Sequence, residues 1–464
     1  MAKENLWTTY DQETLKKVHN FSEGYKEFIT KGKTERHCVK LATKLAEANG
    51  FKNLNEFIKN NTPLKTGDKI YSTCMGKAFM AFVIGKAPIS QGMNILGAHI
   101  DSPRMDIKQN PLYEANELAY LDTHYYGGIK KYQWVTLPLA IHGVVAKKDG
   151  TIVEISIGEE ASDPVFCVTD LLVHLAGEQL NKKAATVIEG ENLDILFGST
   201  PLKETDEEKK TDLVKANILK LLKNKYDITE DDFLSAELEV VPAGAARDCG
   251  LDRSMVIGYG QDDRVCAYPS LMAILDANNL DRSGVCLLVD KEEIGSVGAT
   301  GMESRFFENT VAEIMNLTGD YSELKLRRAL ANSFMLSSDV SAAYDPTYQG
   351  AFDSKNAAYF GKGLVFNKYT GARGKSGSND ANAEYIAALR KVLDDANVGF
   401  QTAELGKVDK GGGGTIAYIL ANYGMNVIDS GIAVLNMHAP WEVSSKSDIY
   451  EGYKGYIAFL KNMK

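Results

Sequence analysis

Cysteine is scarce in this 464-residue chain, and neither long apolar runs nor an excess of positive charge occurs in it. Its six cysteines (Cys38, Cys74, Cys167, Cys249, Cys266 and Cys286) form no Cys-x-x-Cys pair and no close cluster. They read as reduced, buried residues of a cytosolic protein, with Cys266 and Cys286 expected in the core rather than on a metal. No run of about 18 apolar residues is present, which excludes a membrane-spanning helix. The longest candidate, VTLPLAIHGVVA, is too short and contains His142. The opening MAKENLWTTYDQETLKK lacks the apolar core of a signal peptide, so a cytoplasmic location is expected. Lys and Arg number 52 against 62 Asp and Glu, a net charge of −10 that argues against a nucleic-acid partner. No internal repeat of about 20–50 residues is evident, so a solenoid is excluded.

What is present is ordinary globular composition, 44% hydrophobic and 25% charged, in a chain long enough for two domains. ERHCVKLATKLAEANG places apolar residues at helical spacing and stops at Gly50. KAFMAFVIGK and MNILGAHID read as strands, the second buried on both faces. From Asp106 to about Pro242 the pattern turns β-rich, with Asp149-Gly150 at hairpin-turn positions and one amphipathic helix at about residues 212–224. After Ala243 strands and helices alternate: MVIGYG, RVCAYPSLMAILDAN, GVCLLVD, ANSFMLSSDV, TIAYILANYG, IAVLNM and a C-terminal helix. That alternation predicts an α/β sheet with helices on both faces, interrupted by a β-rich insertion.

Five stretches each end an apolar run on side chains that bind metal. They are GAHIDSPR (His99, Asp101), GQDDRVCAYPSL (Asp262, Asp263), LLVDKEEIGSVGATGM (Glu292, Glu293), FMLSSDVSAAYDPTY (Asp339) and VLNMHAPWEVSSKSDIY (His438). In an α/β sheet active groups gather where strands end, so the five can converge. His99 and Asp101, two apart on an extended segment, face the same side. This suits a ligating imidazole held through its second nitrogen, with Asp101 acting directly or by shaping the site. Asp262 and Asp263 lie between strand and helix, where aspartate is also a favoured N-cap. Within the set, Asp262 reads as the carboxylate bridging two metals and Asp263 as its supporting neighbour. Of Glu292 and Glu293, one can coordinate metal while the other serves as general base. Asp339 and His438 gain meaning only from their company.

A pair of zinc ions fits this inventory. Three ligating carboxylates leave one of four positive charges for a hydroxide. Without cations, two carboxylates about 4 Å apart repel by about 4 kcal/mol at an effective dielectric near 20. Metals that activate water and polarise a carbonyl, beside a glutamate that passes a proton to the leaving amine, amount to amide hydrolysis. Two weaker patterns accompany the set. Gly411 to Gly414 precede a predicted helix and offer backbone N–H groups to an anion, although close packing serves equally well. FNKYTGARGKSGSN carries Lys368, Arg373 and Lys375, of which Lys368 and Lys375 are candidate substrate-binding residues.

Through GAHIDSPR, the Asp-Asp pair after Gly-Gln, DKEEIGS, SSDVSAAYDPTY and a late histidine, the chain resembles the aspartyl aminopeptidase and aminopeptidase I family of zinc metallopeptidases over nearly its whole length. The resemblance implies one metal on His99, Asp262 and Asp339 and another on Asp262, Glu293 and His438, with Glu292 as general base. It implies Zn²⁺, two per subunit, with Mn²⁺ or Co²⁺ as alternatives. The fold implied is a metallopeptidase-type α/β/α catalytic domain with a mixed sheet (residues 1–106 and 243–464), interrupted by a β-rich dimerisation domain (residues 107–242). It also implies a homo-oligomer, a tetrahedral dodecamer whose interior chamber admits peptides. Three departures stand out, one of them an altered loop around Lys368. Eukaryotic aspartyl relatives have a histidine in the insertion that reaches a neighbouring site, where this chain reads GGIKKYQW, and Lys291 replaces a frequent histidine. The choice between acidic and neutral N-terminal residues stays open.

The expectation is a dizinc aminopeptidase. Its rivals are a metal-dependent N-acyl amino acid deacylase on the same scaffold, which needs no free α-amine, and a catalytically silent assembly or cargo-binding shell protein. A silent shell has no use for Glu292 beside a full ligand set.

Overall fold

The structure, a computed structural model, describes residues 4–203, 211–371 and 377–464. The chain forms two compact units, one of residues 1–102, 246–437 and 442–464 and the other of residues 103–245 and 438–441.

The first unit is built on a mixed nine-stranded sheet. Its strands in chain order are β1 (Lys52–Asn53), β2 (Lys69–Cys74), β3 (Ala78–Val83), β4 (Met93–His99), β5 (Ser283–Val289), β6 (Phe334–Ser337), β7 (Leu364–Asn367), β8 (Phe400–Thr402) and β9 (Asn426–Gly431). They lie in the order β1-β2-β3-β5-β4-β6-β9-β7-β8. β4 runs parallel to β5 and β6, and β6 parallel to β9, while β3 meets β5 antiparallel.

The central strands read as continuous apolar runs because both faces are covered. Leu96, Ala98, Cys286 and Leu288 enter one core with Phe28 of helix Gln12–Lys31, Leu271 of helix Gln261–Leu275 and Phe459 of helix Lys446–Asn462. Ile95, Val285 and Leu287 enter a second core with Val311 of helix Phe306–Leu317 and Leu330 of helix Glu323–Ala331. The α/β architecture expected from the alternating pattern is thereby present. Register matters for the site: His99 pairs with Val289 and Ser337 with Gly97, so the chain leaves β4, β5 and β6 along one edge of the sheet. A smaller sheet in the same unit sets strand Glu442–Ser445 beside Met255–Gly258, with Glu442 opposite Gly258.

The second unit holds a seven-stranded antiparallel sheet. Strands Leu139–Ala146 and Ile152–Ile157 form the hairpin read at Asp149-Gly150, with Gly150 at φ 89°. Helix Leu213–Tyr226 buries Val214 and Ile218. All six cysteines are free, but Cys74, Cys167 and Cys249 are only half-buried, contrary to the expectation that all would be covered. Among the described residues no helix is long and apolar enough to cross a membrane.

Candidate metal centre

His99 ends β4 and is 1% exposed. Its Nδ1 lies 3.1 Å from the Asp101 carbonyl oxygen and 3.3 Å from Asp101 Oδ1. Its Nε2 faces Asp262 Oδ1 at 3.2 Å, Glu292 Oε2 at 3.9 Å and Asp339 Oδ1 at 4.0 Å. The sheet edge therefore brings four of the five stretches to one point. Two trios, His99 with Asp262 and Asp339, and His99 with Glu292 and Glu293, each have ligating atoms within 4.8 Å of one another.

The main chains of His99, Asp262, Glu292 and Glu293 are each held by a buried carboxylate. Asp101 accepts the amides of Glu292 (3.2 Å, on Oδ1) and Glu293 (3.1 Å, on Oδ2). Asp263 Oδ2 accepts the amide of His99 at 3.3 Å. Glu442 Oε2 accepts the amides of Gln261 (2.6 Å) and Asp262 (3.0 Å). Asp290 accepts the Thr300 hydroxyl at 2.7 Å and the Lys291 amide at 2.8 Å, closing the loop that presents Glu292 and Glu293. Asp339 follows β6 where the chain passes Gly431 so closely that a Cβ there would stand 1.8 Å from the Asp339 carbonyl oxygen. Only glycine fits. Of these supports, Glu442 and Asp290 carry no site signal in the sequence beyond position: Asp290 ends the apolar run GVCLLV, and Glu442 sits between Trp441 and Val443.

The donor set fits divalent zinc: one imidazole and several carboxylate oxygens at ligand spacing. His99 Nε2 is a buried atom with no hydrogen-bond partner, as a ligating nitrogen would be before the ion is counted. Burial, followed by the charges of Glu292 and Asp262, pushes the Asp339 carboxyl well above the ordinary range. Burial does the same to Asp263. Burial would lower His99, but Asp101 and then Asp262 outweigh it and hold the imidazole well above its usual value. Acids crowded in this way ionise together only beside compensating positive charge.

His438 opens the 438–441 stretch of the second unit, in a left-handed conformation at φ 64°. Its Nδ1 lies 2.8 Å from the Gly128 carbonyl oxygen. A carbonyl only accepts, so Nδ1 carries the proton and Nε2 the lone pair, the tautomer of a ligating imidazole. Lys368 forms an ion pair with Asp380 and lies 4.0 Å over the Tyr369 ring. Lys375 and Arg373 lie outside the described residues. The glycine run leads into a helix of only five residues, Ala417–Ala421, shorter than its sequence pattern predicts, and the Gly411 amide is bonded to the Lys407 carbonyl.

The family model described as aminopeptidase I zinc metalloprotease (M18) matches residues 28–460. A probable M18 family aminopeptidase 1 of Clostridium acetobutylicum is 64% identical over 458 residues, covering 99% of this chain and 98% of the relative. The crystal structure of an M18-family aminopeptidase from Thermotoga maritima superposes with a TM-score of 0.93 at 45% identity, over 100% of both chains. That of aminopeptidase I from C. acetobutylicum gives 0.92 at 60%, again over 100% of both.

Proposed function

The chain belongs to the aminopeptidase I zinc metalloprotease family (M18) and is a metallo-aminopeptidase, and on that premise we propose a two-zinc mechanism with Glu292 as its general base. His99, Asp262 and Asp339 would hold one zinc, and Asp262, Glu293 and His438 the other, Asp262 being shared. When bound, the two ions supply Lewis acidity towards the scissile carbonyl and acidify water.

The remaining work falls to the chain. The Glu292 carboxylate takes a proton from the attacking water as the new C–O bond forms. It returns that proton to the peptide nitrogen as the C–N bond breaks, so the product amine leaves neutral. Asp101 keeps this carboxylate in place by holding both glutamate amides, and fixes the His99 ring from its Nδ1 side. Lys368 is already engaged by Asp380, which favours neutral over acidic N-terminal residues, since an acidic side chain would have to compete with that pair. In the second unit Leu171, Leu172, Val173, Leu175 and Leu180 are all exposed in one short segment, a surface suited to pairing of subunits within a homo-oligomer such as a dodecamer.

The observation that carries this reading is the convergence of His99, Asp262, Glu292, Glu293 and Asp339 at one sheet edge. Its test is a panel of amino-acid 4-nitroanilides beside the matching N-acetyl amino acids, using zinc-loaded protein. Release from the free-amine substrates alone is expected, with leucine ahead of aspartate. Cleavage of the N-acetyl compounds alone would replace this reading with a deacylase.

A further inference from the structure

Helix Gln261–Leu275 begins without a cap of its own. Its N-cap residue is Gly260, at φ 70°, which has no side chain to offer. A Cβ at that position would stand 2.2 Å from Arg264 Nη1 and 2.9 Å from Ser102 Oγ, so a capping side chain there would have to displace both on a strained backbone. Asp262 and Asp263 depart from helical geometry (φ −79°, ψ 111° and φ −108°, ψ 21°), so the first turn lacks regular helical support. The Asp262 carboxylate is turned towards His99 and does not cap.

The missing acceptor comes from 181 residues further along the chain. Glu442, 1% exposed, places Oε2 on the amides of both Gln261 and Asp262. The contact is reciprocal: the Gln261 side-chain amide donates to the Glu442 carbonyl oxygen at 2.5 Å and to the Val256 carbonyl oxygen at 3.2 Å, while its oxygen accepts from Tyr25 at 3.0 Å. The strand pairing of Glu442 with Gly258 fixes the depth at which the carboxylate reaches the helix. A buried carboxylate that accepts two consecutive main-chain N–H groups fixes the segment that carries them just ahead of the regular helix.

Resting on the two-zinc reading above, we propose that Glu442 is a positioning residue for the metal centre: by accepting the amides of Gln261 and Asp262 it sets the main chain of Asp262, the carboxylate shared by both zinc ions, and so sets zinc affinity. It touches neither substrate nor metal. Its effect passes through the Gln261–Asp262 main chain, and so falls on zinc occupancy and kcat and leaves KM in place.

The test is zinc affinity and stoichiometry, measured by competition with a chromogenic chelator, on wild type, Glu442→Gln and Glu442→Ala, with circular dichroism and kcat and KM on each. Glu442→Ala is expected to weaken zinc binding about 10- to 100-fold, as loss of a supporting partner does. Glu442→Gln, which keeps an acceptor oxygen, is expected to recover most of that loss yet stay a few-fold weaker than wild type. KM at saturating zinc is expected to match wild type in both. Zinc affinity unchanged in folded Glu442→Ala, with only a lowered Tm, would overturn the proposal by reducing Glu442 to a structural support. If Glu442→Ala does not fold, Glu442→Gln decides, and wild-type affinity there overturns it. A wild-type stoichiometry below two zinc ions would be a different failure: it refutes the two-zinc reading and this proposal with it.

Discussion

Asp101 and Glu293 are joined by a hydrogen bond of 3.1 Å from the Glu293 amide to Asp101 Oδ2, while Oδ1 of the same carboxylate takes the Glu292 amide at 3.2 Å. One side chain thus aligns the imidazole of β4 and both glutamates that follow β5. Replacing Asp101 by alanine leaves two buried amides without their acceptor, each costing about 1–3 kcal/mol if unmet. Asp101→Ala is expected to lower kcat/KM by about 100-fold and to reduce zinc content. Asp101→Asn, which keeps one acceptor oxygen, should fall between it and wild type. Steady-state kinetics with metal analysis on both variants checks the order, and an Asp101→Ala enzyme of normal kcat/KM would refute it.

Gly431 governs the position of Asp339 by its lack of a side chain. A methyl group there would meet the Asp339 carbonyl oxygen at 1.8 Å and the Val340 Cα at 3.3 Å, both main-chain atoms. Overpacking of this kind costs about 1–3 kcal/mol. Gly431→Ala should therefore lower Tm and reduce zinc bound per chain together. Thermal unfolding and metal analysis on one sample would expose a mistake if Tm fell while zinc content stayed normal.

Stability should also depend on pH through Asp448, a buried carboxyl that is not among the proposed ligands. Burial pushes its carboxyl from 3.8 up to about 7, against the Gly363 and Gly361 amides that pull it down. The folded state therefore binds a proton more tightly than the unfolded one. The associated stability is complete below about pH 4 and is lost as pH rises through about 7, at up to about 1.4 kcal/mol per pH unit. Asp448→Asn is expected to be less stable at low pH yet to show a flatter slope between pH 4 and 7. Urea midpoints across that range read the slope, and an unaltered slope would contradict the assignment.

Much of this was legible because the site lies where buried strands end. MNILGAH and SGVCLLV are continuous apolar runs, so the polar residues that follow them had to sit at a sheet edge, and parallel neighbours place those edges together. The supports were less legible. Asp101 reaches amides 191 and 192 residues away, and Glu442 reaches Gln261 across 181, contacts to main chain that no side-chain pattern records. Lys368, marked by its charge as a candidate substrate partner, pairs with Asp380, 12 residues on, a contact its own sequence stretch did not point to. The glycine run likewise promised a longer helix than the five residues found, because Tyr423 and Gly424 turn the chain back towards β9.

The most direct test of the proposed division of labour is zinc content and kcat measured side by side on Glu292→Gln and Glu293→Gln. Glu292→Gln should retain two zinc ions per chain and lose about 10²- to 10⁴-fold in kcat, the share of a general base, whereas Glu293→Gln should lose zinc. Equal zinc loss in both variants, or a Glu292→Gln enzyme within about tenfold of wild type, well short of that general-base share, would contradict it.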